Sequence, residues 1–216
     1  MRIGNNIRQR TDGRFEARYI KGRDFNGRVL YGYCYGKTWE EAARKREEAL
    51  QHTVSVREMN LLILGAGSHG REVRELAESL RIFRKIAFLD DENSEAIGPC
   101  QNLGRYVSIY PVAIPAVGNR TLRMRWIGEL TRAGFILPIL IHPSATVSIS
   151  AEIGYGTVIC ARAAVGAGAD IGSGCIISSG ATIDRNVVIP NGTHVECGQA
   201  VAAGTRIDRE GVLLYG

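Results

Sequence analysis

The chain has 216 residues, 45% of them apolar and 23% charged, with a formal net charge of +5. That length suits one or two domains with a real core, and the absence of any run of about 18 apolar residues excludes a membrane-spanning helix. The charge is uneven: residues 1–56 hold 12 Lys/Arg against 7 Asp/Glu, residues 57–216 hold 15 against 15, and the whole excess belongs to the first quarter. Met1-Arg-Ile-Gly-Asn-Asn leads into no hydrophobic signal region, so a soluble, cytoplasmic protein is expected. Cys34, Cys100, Cys160, Cys175 and Cys197 are scattered, odd in number and form no C-x-x-C pair, which suits free thiols in a reducing compartment.

Residues 1–56 predict a small basic module. Arg14 to Ile20 alternates polar and apolar, Asp24-Phe25-Asn26-Gly27 offers a turn, and Val29 to Tyr35 is rich in tyrosine, which together read as a hairpin. Thr38-Trp39-Glu40-Glu41 is a capping box, and the helix after it would lay Trp39, Ala42, Ala43, Arg46 and Leu50 over the sheet. Residues 51–56 look like a junction. With its "DGRFEARYIKGRDFNGRVLYGYCYGKTWEEA" text, the module resembles the arm-type DNA-binding domain of phage-type tyrosine recombinases over about 45 residues. The resemblance implies a sheet that enters a DNA groove, with Arg14, Arg18, Lys21 and Arg23 as candidates for phosphate or base contact. The alternative is a solvated arginine face on a solubilising module; the recombinase catalytic domain is absent.

Residues 57–140 predict a Gly-loop α/β unit. Met59 to Leu64 is a buried strand that runs into Gly65-Ala66-Gly67-Ser68-His69-Gly70, and a helix opens at Arg71 and continues to Leu80. Strand, glycine loop and helix form the context that a G-x-G-x-x-G match needs, and backbone N–H groups at a helix N-terminus favour an anionic ligand such as phosphate. A second strand, Ile86 to Leu89, delivers Asp90 and Asp91 to the carboxyl edge of the sheet, where they could meet sugar hydroxyls or an amine. A dinucleotide is one candidate ligand, since Asp90 roughly meets the spacing of the ribose-binding acid. The half-size sheet fits a single nucleotide-sugar better. His69 is either part of that site or a loop histidine that caps and packs. Val112 to Val117 reads as a further strand, ending in Gly118-Asn119, and Thr121 to Ala133 as a helix.

From Ile141 onward every sixth residue is aliphatic: Ile141, Val147, Ile153, Ile159, Val165, Ile171, Ile177, Ile183, Ile189, Val195, Val201, Ile207 and Leu213. Four places after each sits a mostly small residue, such as Ala145, Ala163 or Ala181, with glycines between. A period of six belongs to a hexapeptide parallel β-helix, in which the aliphatic residue points inward and glycine supplies positive φ at the corners. Three hexapeptides per coil make about four coils, spaced ~4.8 Å apart. His142-Pro143 marks the entry to the first coil.

Taken together, "LLILGAGSHGREVRELAE", "IAFLDD", "AVGNRTLR", "IHPSA" and the sixfold run resemble the sugar acetyltransferases of the sialic-acid O-acetyltransferase type. These include enzymes that N-acetylate a UDP-linked 4-amino sugar. The resemblance implies a Rossmann-like domain that holds UDP-sugar through Gly65, Gly67, Ser68, His69 and Gly70, with Asp90 and Asp91 near the sugar. It also implies a left-handed β-helix that forms a homotrimer, with acetyl-CoA as co-substrate along the seam between two subunits and no metal. The reaction it implies is direct attack of an amine or hydroxyl on the thioester, which needs a proton acceptor and an oxyanion donor.

The family places a His-Glu or His-Asp pair after an "IIN-x-x-A-x-V-[DE]" run. Here that run is Ile176 to Asp184, and Arg185-Asn186 follows. Arg185 stays protonated and cannot accept a proton, and loss of a positioned base typically costs about 10²–10⁴ in rate. Ser178 stands where the family has Asn. Gly192-Thr193-His194-Val195-Glu196-Cys197-Gly198 matches the family segment whose histidine lies near the acetyl thioester, so His194 is either a substitute base, with Glu196 nearby, or a solvent-facing residue on a coil corner. Family members run several more coils, so residues 141–216 are expected to be a truncated β-helix with exposed strand edges unless a trimer or terminal twist covers them. The expected activity is a weakened acetyl-CoA-dependent sugar acetyltransferase. The alternative is an inactive sugar-nucleotide-binding or trimeric scaffold protein carrying a DNA-binding module.

Overall fold

The structure is a computed structural model that describes residues 7–23, 29–52, 59–207 and 213–214. The expected turn at Asp24–Gly27, junction residues 53–56, and the side chains of Lys21, Arg23 and Leu50 lie outside what is described. The chain divides into two compact units, Met1–Met59 and Asn60–Gly216.

The first unit is a three-stranded antiparallel sheet covered on one side by a helix. Strands β2 (Phe15–Arg23) and β3 (Val29–Gly36) form the expected hairpin. A short strand the sequence reading missed, β1 (Ile7–Gln9), pairs with β2 so that Ile7 lies opposite Ala17. Helix α1 (Trp39–His52) opens on the expected cap: the Glu41 N–H donates to Thr38 Oγ1 at 3.2 Å, while the Glu41 carboxylate accepts from the Lys37 N–H at 2.7 Å. Ile7, Ala17 and Ala42 form the core, with Phe15, Cys34, Trp39 and Ala43 packed round them. Arg46 lies over the sheet as expected, its Nε donating to the Arg18 carbonyl of β2 at 3.0 Å.

The second unit begins with a parallel sheet ordered β5-β4-β6, made of β4 (Asn60–Leu64), β5 (Lys85–Leu89) and β6 (Val112–Pro115). Leu61 to Leu64 are fully buried, as a strand covered on both faces must be. Helix α2 (Ser68–Leu80) follows β4, and α3 (Arg120–Ala133) is capped by Asn119, whose side chain accepts from the Leu122 N–H.

The remaining strands are two residues long and build a parallel β-helix. Leu140–Ile141, Val158–Ile159, Ile176–Ile177 and His194–Val195 stack as one face, each 18 residues after the last, and two further stacks close the prism. Every inward aliphatic from Ile159 to Val201 is almost fully buried. Every sixth residue from 156 to 204 has φ between +56° and +73°, and all are glycine except Arg162 and Asn186. The sixfold frame departs from expectation at its end. Leu213–Leu214 pairs antiparallel with Arg206–Ile207, so Leu213 does not continue the parallel stack and the end of one of the three sheets is covered by the chain itself.

Candidate functional site

The glycine loop is held by its neighbours. Gly65 has φ +103°, and a side chain there would press on the Ala116 carbonyl; a side chain on Gly70 would collide with the Gly65 carbonyl. Gly67 instead faces open space. That division suits a phosphate-binding loop: one glycine for the turn, one for backbone approach to the ligand, one for close helix-strand packing. Helix α2 begins at Ser68, three residues earlier than the sequence suggested, because Gly67 serves as its N-cap. His69 and Gly70 therefore belong to the first helical turn, where no side chain caps the amides.

Asp90 and Asp91 act on the backbone. Asp90 accepts from the Ala66 N–H at 2.7 Å with one oxygen and from the Glu92 and Asn93 N–H groups, both at 2.9 Å, with the other. The Ala66 bond is the main reason its carboxyl is held below the usual range, against the opposing effect of burial. Asn93, which the sequence reading did not single out, donates to the Ala66 carbonyl, so both main-chain polar groups of Ala66 are pinned to the loop after β5. Asp91 accepts from the Cys100 N–H at 2.9 Å.

His69 is largely buried, and its Nδ1 lies 3.1 Å from the Glu72 carboxylate. A carboxylate only accepts, so Nδ1 carries the proton and Nε2 presents a lone pair, which finds no partner among the described residues. Burial lowers the affinity of this ring for a second proton; Glu72 opposes that, and Arg123 and His194 add to it from nearby.

On the outer side of the β-helix, His194 Nε2 lies 2.8 Å from Ser178 Oγ, and His194 Nδ1 lies 3.5 Å from Glu196 Oε1. The buried Cys160 lies beside Glu72; burial first, then Glu72, pushes its thiol up to about 12, which makes it inert as a nucleophile. Arg185 and Asn186 occupy a corner. Asn186 has φ +56° and its N–H donates to the Ala167 carbonyl, while the Gly204 N–H donates to the Arg185 carbonyl. Asn186 is thus the side-chain-bearing member of a corner column otherwise made of Gly168 and Gly204, and asparagine tolerates that conformation. The exposed Arg185 guanidinium lies 4.0 Å from Asp184. No described hydrogen bond or ion pair joins Arg185 or Asn186 to His194.

Arg123 escaped the sequence reading. Only 1% exposed, it donates to the carbonyls of Val117, Gly118, Gly174 and Gly192, tying α3 to two coils of the β-helix. His142 has a local role, accepting from the Ser144 N–H at 3.1 Å beside the Ser144 hydroxyl. In the first unit, Arg14 pairs with Asp12 at 2.8 Å, and the Arg18 guanidinium lies 4.4 Å from the Tyr31 ring centre. Among the described residues no group of three or more His, Cys, Asp or Glu side chains is placed to hold a metal ion, and no helix is long and apolar enough to cross a membrane.

Comparison with known proteins agrees with this geometry. The model of the PglD N-terminal domain matches residues 60–130. A UDP-N-acetylbacillosamine N-acetyltransferase of Bacillus subtilis is 36% identical over 111 residues, covering 47% of this chain; the chain spans about half (51%) of that curated relative's length. Among solved structures, the acetyltransferase domain of PglB from Neisseria gonorrhoeae superposes with a TM-score of 0.66 at 38% identity, over 68% of this chain and 76% of that one. The same domain solved in complex with acetyl coenzyme A gives 0.66 at 37% identity, over 69% and 76%. With three quarters of the PglB domain spanned at that identity, the chain belongs to the acetyltransferase family that this domain represents.

Proposed function

We propose that the protein transfers acetyl from acetyl-CoA to an amino group of a UDP-linked sugar. The observation that carries this reading is the pairing, within one compact unit, of an open-faced glycine loop at the start of α2 with a β-helix face bearing His194, in a chain 38% identical to an acetyltransferase domain. Gly65, Gly67, Ser68, His69 and Gly70 would hold the nucleotide, the first-turn amides meeting its phosphates. Asp90 and Asp91, whose oxygens already accept backbone bonds, shape the pocket edge and offer the sugar their remaining lone pairs. The proton acceptor is His194, since Arg185 cannot serve. The β-helix is left-handed and trimeric in this reading, with acetyl-CoA between subunits, and the protein is cytoplasmic. Free-thiol detection with acetyl-CoA and UDP-4-amino sugars tests it: CoA release that depends on the sugar is expected. Release with none of them, at high protein concentration, would leave the scaffold alternative.

A second reading concerns the first unit. The face of its sheet opposite α1 carries Arg8, Arg18, Tyr31, Tyr33 and Tyr35, with the tyrosines well exposed. Basic and aromatic side chains on an open sheet suit contact with DNA, although Glu16 already neutralises Arg8 and Arg10 from a buried position. Burial opposes ionisation of Glu16, but hydrogen bonds from Arg10 and Arg8 hold its carboxyl below the usual range. Arg18, together with Lys21 and Arg23, would carry the contact, and Arg14 contributes less because Asp12 holds it. A gel-shift titration with random duplex at low salt decides this; no shift at high micromolar protein removes it.

A further inference from the structure

His69 is the second residue of α2, directly after the glycine loop, and its side chain is only 16% exposed. Its Nδ1 is hydrogen-bonded to the Glu72 carboxylate at 3.1 Å, which fixes the tautomer and leaves the Nε2 lone pair pointing away from Glu72. That lone pair is buried and meets no partner among the described residues. A bare buried acceptor opposes folding, and such an exception calls for a role. The surroundings suggest one. Glu72 lies beside Cys160 of the β-helix, and the ring is close enough to Arg123 and His194 for both to act on it. Arg123 in turn donates to the Gly192 carbonyl at 2.7 Å, two residues before His194, so the start of α2 and the coil segment that carries His194 come together around it.

Acetylating an amine removes two protons from its nitrogen. Below its own pKa the amine is an ammonium ion, which has no lone pair to attack with; the second proton leaves as the amide forms. His194 accepts the second, and the first needs a separate acceptor. We infer that His69, oriented by Glu72, takes the first proton from the ammonium form of the acceptor sugar and so frees the nitrogen for attack. The inference rests on the acetyl-transfer reading above and adds a step to it. An ammonium N–H bond breaks as an Nε2–H bond forms on His69. The freed lone pair bonds to the thioester carbonyl carbon, and a second N–H proton passes to His194. The C–S bond then breaks, and the thiolate takes that proton as free CoA. His69 returns its own proton to water once the product leaves. Burial keeps the ring below its ordinary proton affinity, assisted by Arg123 and His194 and opposed by Glu72, so the lone pair is free at neutral pH. Burial penalises the bound ammonium as well, so the transfer moves a charge without creating one, and the Glu72 carboxylate already faces the imidazolium that forms.

CoA release with acetyl-CoA and a UDP-linked 4-amino sugar is followed between about pH 6 and 9 for the native protein and for His69→Gln, whose amide cannot hold the proton. Circular dichroism checks that the variant folds. Below the pKa of the amine the variant depends on the dwindling free amine. Its deficit in kcat/KM should therefore grow about tenfold per pH unit as pH falls, until His69 of the native protein itself takes up a proton from water. A deficit equal at every pH overturns the inference and leaves His69 a packing residue met by water. A second readout needs no turnover. In a long-range proton–nitrogen spectrum of protein carrying isotope-labelled histidine, the His69 signals are those lost in His69→Gln. A protonated Nδ1 and a bare Nε2 are expected in the free protein. Adding the amino sugar without acetyl-CoA should move the Nε2 signal toward the protonated position, and the 4-hydroxy analogue should not. That response without CoA release supports proton acceptance by His69 and overturns the acetyl-transfer reading. CoA release with neither the response nor a growing deficit leaves transfer standing and overturns the inference alone.

Discussion

Arg123 shows how one side chain can hold two substructures together. Its guanidinium is enclosed by four backbone carbonyls, two in the loop before α3 and two on β-helix corners. Replacing it with methionine fills the volume but leaves those carbonyls without their charged donor, so Arg123→Met should cost about 3–5 kcal/mol in urea unfolding. Asp90 makes a pH-dependent contribution. Its folded-state pKa lies below the ordinary 3.8, so its stabilisation is complete above that value and is lost as pH falls through the depressed one. Asp90→Asn should therefore lower stability by about 1–3 kcal/mol at pH 7, with the gap to the native protein narrowing below about pH 4 in thermal melts. Neither role could be read from the sequence. Arg123 looks like any helix arginine, and Asp90 looked like a ligand-facing acid at a strand end, because the main-chain groups they meet are far away in the chain.

At the scale of elements, the glycine columns decide how α3 docks. A side chain at Gly174 would collide with Ile127 Cδ1 and come within 2.9 Å of Met124 Sδ, on a backbone with φ +66°. Gly174→Ala should destabilise by about 1–3 kcal/mol through strain and overpacking together, whereas Gly180→Ala, with the same φ sign but open space around it, should cost only the strain, about 1 kcal/mol. Chemical denaturation of the two variants side by side separates these contributions. In the first unit, Thr38→Ala removes the hydroxyl that caps α1 and should cost about 1 kcal/mol by the same measurement. The hairpin and this cap were legible because both are local. Strand β1 was not, since Ile7-Arg8-Gln9 is too short to show a period, and the core that Ile7 enters exists only once the hairpin and α1 bring Ala17 and Ala42 together.

The whole molecule is read as a trimer whose acetyl-CoA sites lie between subunits, and a light-scattering mass near three times 23.5 kDa is the expected value; a mass of one chain would remove the proposed interfacial site. The parallel β-helix, the glycine loop and the family likeness were all present in the sequence, since a sixfold aliphatic repeat and a strand-loop-helix motif are set by neighbours in the chain. What only the tertiary structure decided is which side chains meet. Stacking of coils puts Ser178 beside His194, 16 residues away, and sets Arg185 and Asn186 at a different corner of the coil. An 18-residue coil makes such contacts a matter of register across strands, which a linear pattern specifies only once the coil length and the inward position of each strand are known.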